Sequence, residues 1–147
     1  MEPGRAFAGT WVALMGRMPA QHLLGIVVVV VDDDSDALDL FRAVLEYHGA
    51  LVMCVPGPQP ALELLSRMRP DVLLSDMQMP DWDGAWLVAE AHNRGLLRTV
   101  GTLVVTAAAM TPQQVRDAGF DAYLRKPVDP HQLCDRVYAL ARPSPSA

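Results

Sequence analysis

The sequence predicts an α/β fold with one parallel five-stranded sheet and helices on both faces. Three observations predict it. Residues 26–31 (IVVVVV) form a β-branched run without alternation, the pattern of a strand buried on both sides. Four more short apolar runs follow, each separated from the next by a helical stretch. Such strict alternation implies right-handed crossovers and a parallel sheet. Twelve prolines and ten glycines punctuate 147 residues, which favours many short elements over a few long helices.

Each element has its own signal. After the first strand, Leu38, Phe41, Leu45 and His48 recur at helical spacing, with Leu40 and Val44 beside them, and Gly49 follows as the stop. Residues 51–55 read as the second strand. Pro60 is expected to open the second helix, which Ala61, Leu62, Leu64, Leu65 and Met68 continue until Pro70. Residues 72–74 form the third apolar run, and residues 85–93 a helix closed by Gly95. Residues 102–105 are the fourth strand. Thr111-Pro112-Gln113-Gln114 has the form of a capping box with proline at the first helical position, and Gly119 closes that short helix. Residues 122–124 are the fifth strand. Asp129-Pro130-His131-Gln132 repeats the cap pattern, and Leu133, Val137 and Leu140 line one face of the last helix.

Composition narrows the function classes. Apolar residues are 51% of the chain, enough for one core, and the length fits one domain. A net charge of −5 argues against direct nucleic-acid binding by counterion release. No run of about 20 apolar residues crosses a membrane. Cys54 and Cys134 are no disulfide framework, so a cytoplasmic location is expected; both read as structural core residues. Residues 1–24 read as a loosely ordered extension without the pattern of a secretory signal, and Met15 or Met18 is a candidate true start. Residues 25–142 form the domain and 143–147 a frayed tail. The four histidines lack metal-ligand spacing.

The chemistry lies at the strand ends. Strand one ends in Asp32-Asp33-Asp34, strand three in Ser75-Asp76, strand four in Thr106-Ala107, and strand five in Arg125-Lys126-Pro127. In a parallel sheet these meet at the carboxyl rim, where ligands bind near a topological switch point. Each residue alone has an ordinary reading: Asp34 or Ser35 as a helix cap, Lys126 as a surface charge, Thr106 as a strand residue. Together they make a set. Clustered carboxylates repel unless a cation intervenes, and hard oxygen ligands suit Mg²⁺. A hydroxyl and an ammonium beside them answer the demand of phosphoryl chemistry for charge neutralisation. One carboxylate can then act as nucleophile and carry the phosphoryl group as an acyl phosphate.

The stretches VVVVVDDDSDALDLF, PDVLLSDMQMPDWDG, LVVTAAA and DAYLRKPVD, in this order and at these distances, resemble the response-regulator receiver domain of two-component signalling, across about residues 25–142. The resemblance implies a flavodoxin-like (βα)5 fold of strand order 2-1-3-4-5. It implies Asp76 as phosphoacceptor. It implies a Mg²⁺ site of Asp32, Asp33, Asp76 and the Gln78 backbone carbonyl. Thr106, with the small Ala107 after it, and Lys126 would receive the phosphoryl group. Tyr123 matches the aromatic that swings between exposed and buried positions, and Pro127 the proline that often follows a cis peptide bond. Pro80 and Gly84 match the turn beyond the acceptor. Gln78 and Ala108 occupy positions that tune phosphate lifetime.

The implied donor is a phosphohistidine on a sensor histidine kinase or histidine phosphotransfer protein. The implied output is binding of a downstream protein, with homodimerisation through the last two helices left open. The chain is then a signalling phosphoacceptor that catalyses only its own phosphotransfer and dephosphorylation. The interval from Thr106 to Lys126 is short for the family, which predicts a trimmed fourth helix. Trp82 is expected either to cover the pocket or to pack on the surface, and Trp86 to lie on a helix face. Two other readings compete. One is a receiver-like binding module that works without phosphorylation. The other is a haloacid-dehalogenase-like phosphatase with Asp32 as nucleophile, which lacks the acidic pair that family needs at a later strand end. An EF-hand loop starting at Asp32 fails, because Ala37 and Ala43 replace the required glycine and glutamate.

Overall fold

Four of the five valines of strand β1 (Val27–Val31) divide their side chains between two cores. Val28 and Val30 face one and Val29 and Val31 the other, the period of two that a pleated strand imposes. A computed structural model of the chain describes residues 22–141. The expectations for residues 1–21 and 142–147 lie outside the described residues. The order continues α1 (Ser35–Tyr47), β2 (Leu51–Val55), α2 (Pro58–Leu65), β3 (Val72–Ser75), α3 (Gly84–Asn93), β4 (Gly101–Thr106), α4 (Pro112–Asp117), β5 (Ala122–Arg125) and α5 (Pro130–Ala141). All strand pairs are parallel and the sheet order is β2-β1-β3-β4-β5, as expected.

Helices α1 and α5 cover the face of Val28, Val30, Val72, Leu74, Leu103 and Val105 with Phe41, Val44, Leu45, Leu133 and Val137. Helices α2, α3 and α4 cover the other face with Ala61, Leu62, Leu65, Leu87, Val88 and Val115. Leu23 is fully buried in the first core, and its N–H donates to the His48 carbonyl at 2.7 Å.

Helix ends follow the punctuation. Gly49, Gly95 and Gly119 each adopt positive φ just past a helix, and the following N–H reaches back to close it: Ala50 to Leu45, Leu96 to Ala91, Phe120 to Val115, at 2.9–3.1 Å. The Thr111–Gln114 capping box forms in both directions, at 2.8 and 3.1 Å. Asp129 accepts from the His131 N–H at 2.8 Å. Helix α4 has six residues.

Helix α2 differs from expectation. It begins at Pro58 rather than Pro60 and stops at Leu65 rather than Met68. The first N–H groups of a helix have no intrahelical acceptor, so Pro58 and Pro60 both fit the first turn. At the far end Ser66 Oγ donates to the Glu63 carbonyl at 2.6 Å, and the Arg67 N–H to the Leu64 carbonyl at 3.0 Å, tightening the chain out of the helix.

The opposite rim of the sheet carries a repeated device. Asp71 before β3 accepts the Val27 N–H at 2.8 Å, and Asp121 before β5 accepts the Thr102 N–H at 2.9 Å. Each carboxylate satisfies a neighbouring strand's first free donor. Chemistry is thereby left to the carboxyl rim, where the chain leaves β1 and β3 toward opposite faces and opens a crevice between them.

Candidate functional site

The three consecutive aspartates after β1 have three different fates. Asp34 caps α1 by accepting the Asp36 N–H at 3.0 Å. Asp32 is 1% exposed, and both its oxygens are engaged: Oδ1 by the Asp34 N–H at 2.9 Å, Oδ2 by Lys126 Nζ at 2.9 Å. Asp33 is exposed. Across the crevice, the Asp76 N–H donates to the Val31 carbonyl at 3.0 Å, extending the β1–β3 ladder by one rung. That rung sets Asp76 opposite Asp32. One oxygen from each of Asp32, Asp33 and Asp76 lies within 4.8 Å of the others.

Lys126 enters from β5, with Nζ 2.9 Å from Asp32 and 3.5 Å from Asp76. Burial pulls its ammonium toward neutrality, but hydrogen bonds and charge from Asp32 and Asp76 outweigh this and hold it above the usual lysine value. Burial raises the Asp76 carboxyl above the ordinary range, and the Asp32 charge adds to this. Lys126 and the Met77 and Gln78 amides oppose the rise without cancelling it. Three clustered carboxylates and one ammonium leave negative charge uncompensated. A hard divalent cation answers that need, and the all-oxygen donor set fits Mg²⁺.

The loop after Asp76 is set by backbone packing. Ser75 Oγ donates to the Asp76 carbonyl at 2.8 Å, and the Gly84 N–H to the Met77 carbonyl at 2.8 Å. A Cβ at Gly84 would press into the Asp76 carbonyl oxygen and sit 3.2 Å from Met77 Cα. Glycine is therefore what lets the start of α3 approach the loop after Asp76. Asp83 caps α3 through the Trp86 N–H at 2.8 Å.

The other expected residues surround this centre. Thr106, 1% exposed, ends β4, and its Oγ1 accepts from the Ala108 N–H at 3.4 Å. Ala107 follows, exposed. Half-buried Tyr123 on β5 donates its hydroxyl to the Ala108 carbonyl at 2.8 Å. The Lys126–Pro127 peptide is cis. Gln78 is exposed two residues beyond Asp76. Trp82, 43% exposed, stacks on Trp86 of α3 at a centroid distance of 4.7 Å. With Asp33, Pro58 and Pro80 it lines a 250 Å³ hollow beside the acidic centre.

The cysteines stay outside this chemistry. Burial pushes the Cys134 thiol up to about 12 and raises Cys54 as well, so both are protonated. Among the described residues, no helix is long and apolar enough to cross a membrane. Asp71 and Asp121 are structural parts whose roles a linear reading does not reveal, because each is defined by a partner on a distant segment; Gly84, read as a turn residue, also admits the close approach of α3.

Comparison with known proteins agrees with this geometry. A 14.6 kDa protein encoded 3′ of sodA1 in Leptolyngbya boryana is 40% identical over 127 residues, covering 84% of this chain and 97% of that protein. The response regulator MprA of Mycobacterium leprae is 34% identical over 78% of this chain. This chain spans about half of MprA's length, 50%. Among solved structures, the receiver domain of the sensor histidine kinase PA1611 from Pseudomonas aeruginosa, with a magnesium ion coordinated in its active-site cleft, superposes with a TM-score of 0.73 at 25% identity. That match covers 80% of this chain and 98% of the other. The family pattern of the response regulator receiver domain matches residues 28–138. With this sheet order and this acidic rim, the chain belongs to the response regulator receiver domain family of two-component signalling.

Proposed function

We propose that this receiver accepts a phosphoryl group on Asp76 from a phosphohistidine of a sensor histidine kinase or histidine phosphotransfer protein in the cytoplasm, with Mg²⁺ held by Asp32, Asp33, Asp76 and the Gln78 carbonyl. The observation that carries the reading is Lys126, whose ammonium reaches both the buried Asp32 and the half-buried Asp76. Bound Mg²⁺ would supply positive charge for the phosphoryl oxygens. An Asp76 oxygen attacks phosphorus in line. The phosphorus–nitrogen bond breaks, the imidazole keeps its electron pair, and an acyl phosphate forms. Lys126 can leave Asp76 and follow the charge onto the phosphoryl group while Asp32 still anchors it.

The product brings about −1.5 to −2 of charge, which needs donors. The Thr106 hydroxyl is the nearby side chain that can turn to meet it, and Tyr123 can then move into the space released. The face of β4, β5, α4 and α5 would repack between two discrete arrangements and select a downstream protein. Asp32 is a poor nucleophile, since both its oxygens are already engaged; this disfavours a phosphatase reading centred on it.

The test is intact-protein mass after incubation with Mg²⁺ and acetyl phosphate, for wild type, Asp76→Asn and Asp32→Asn. Wild type should gain one phosphoryl mass, Asp76→Asn none, and Asp32→Asn less. A folded wild type that gains nothing would favour a binding module that works without phosphorylation. An adduct that survives in Asp76→Asn but vanishes in Asp32→Asn would move the nucleophile to Asp32.

A further inference from the structure

We infer that Arg125 is a positioning residue that holds the Thr106 hydroxyl in its resting place by anchoring the peptide unit between Ala107 and Ala108. This rests on the reading of Thr106 as a phosphoryl-binding residue. A peptide unit is one rigid plane carrying a carbonyl at one end and an N–H at the other. Here both ends are held. The Ala107 carbonyl accepts from Arg125 Nε at 3.1 Å, and the Ala108 N–H donates to Thr106 Oγ1 at 3.4 Å. The next plane is held too, because the Ala108 carbonyl accepts from the Tyr123 hydroxyl at 2.8 Å. Arg125 and Tyr123 thus pin successive peptide units of the loop between β4 and α4 from the same strand.

Arg125 can do this because of register. It pairs with Thr106 in the β4–β5 ladder, and the Lys126 N–H donates to the Thr106 carbonyl at 2.9 Å. The backbone that aims Lys126 at the carboxylates therefore also presents Arg125 to the loop. The guanidinium is exposed and the bond short in reach, so it is a modest restraint rather than a core contact. For Thr106 to turn toward a phosphoryl group on Asp76, its oxygen must leave the Ala108 N–H. Arg125 keeps that N–H aimed at the hydroxyl; without it the plane is freer to turn and the bond to Thr106 is weaker. Arg125 therefore favours the resting arrangement, and removing it should make the phosphoryl-ready arrangement cheaper to reach.

Two measurements on the full chain test this. The first is amide exchange by NMR without any phosphoryl ligand. In Arg125→Ala the Ala108 amide should exchange at least about threefold faster, with amides in β1 and β3 unchanged. Unchanged exchange at Ala108 would overturn the anchor. The second is titration with beryllofluoride, a phosphoryl mimic, in saturating Mg²⁺. Arg125→Ala should bind it about two- to tenfold more tightly than wild type, the worth of one net hydrogen bond. Equal or weaker binding would overturn the link from Arg125 to Thr106. Thr106→Ala separates the links: adding Arg125→Ala to it should no longer change affinity, and a persistent gain would refute the route through Thr106. A wild type that binds no beryllofluoride would count against the acceptor reading itself, while the exchange measurement still decides the anchor.

Discussion

Gly84→Ala should damage the acidic site from outside it. A Cβ there would overlap the Asp76 carbonyl oxygen and lie 3.2 Å from both Met77 Cα and Ser75 Oγ. Ordinary carbon contacts begin near 3.5 Å. The obstacle is backbone rather than a flexible side-chain tip, so the start of α3 and the loop after Asp76 must part by roughly half an ångström or more. That parting strains the Gly84 N–H bond to the Met77 carbonyl, now 2.8 Å. Overpacking of this kind costs about 1–3 kcal/mol. For a domain of this size it lowers Tm by roughly 4–15 °C. The functional cost should be larger in proportion, because the displaced segment carries Asp76 and leads into Gln78. A misplacement near 1 Å can cost up to about a hundredfold in rate. Gly57→Ala is the matched control: its Cβ would meet nothing within 4 Å, so its stability should stay within about 0.5 kcal/mol. The assay is thermal unfolding in EDTA, Mg²⁺ titration followed by tryptophan fluorescence, and the rate of mass gain from acetyl phosphate. Wild-type Tm and wild-type Mg²⁺ affinity in Gly84→Ala would refute the close-approach argument.

Other expectations follow from the same centre. Asp76 holds its proton more tightly in the fold than in the unfolded chain. Its contribution to stability is therefore full below the usual carboxylate value and lost as pH rises through the raised one. In EDTA at pH 7, Asp76→Asn should accordingly be more stable than wild type, on the order of 1 kcal/mol. The gap should close in acid, where both side chains are neutral; a less stable variant at pH 7 would contradict the burial argument. Mg²⁺ at 100 times its Kd should stabilise wild type by about 2.7 kcal/mol, and the smaller gain in Asp76→Asn should narrow or reverse the order in unfolding scans. Lys126→Ala should keep Mg²⁺ binding but lose the structural response to acetyl phosphate, read by NMR shifts in β4 and β5; a normal response would remove Lys126 from the mechanism. Asp121→Ala, which strips the Thr102 N–H of its 2.9 Å partner, should cost about 1–2 kcal/mol in urea unfolding and leave the phosphorylation rate unchanged. A lost rate would mean that the two rims of the sheet are coupled.

The clustering of the acids and the lysine was legible because parallel topology collects them. Once the valine run and the alternation imply a parallel sheet, every residue just after a strand shares one rim. Asp32, Asp76 and Lys126 then meet although 94 positions separate the first from the last. The helix stops were legible for a local reason, since Gly49, Gly95 and Gly119 are needed only by their own helices. The start of α2 was ambiguous for an equally local reason: a first turn accepts proline at Pro58 as readily as at Pro60, and nothing nearby chooses between them.

What stayed hidden is the layer that aims the chemistry. Asp71 and Asp121 look like loop aspartates until β1 and β4 bring the Val27 and Thr102 N–H groups to them. Gly84 looks like a turn glycine until α3 is laid against the Asp76 carbonyl. Arg125 looks like a solvated neighbour of Lys126 until register places Ala107 beside it. Each acts through a backbone group, and a backbone group has no signature in the sequence. A side chain's chemical type limits what it could do to a phosphoryl group, so the clustered acids and the lysine stand out as candidates by type. Holding a peptide plane in place needs only a donor or an absent Cβ at the right spot, which many residue types supply. Substitution of Asp76 should therefore abolish phosphorylation, that of Asp32 weaken it and that of Lys126 remove the structural response to it, whereas substitutions at Arg125 and Gly84 should change its rate and its equilibrium.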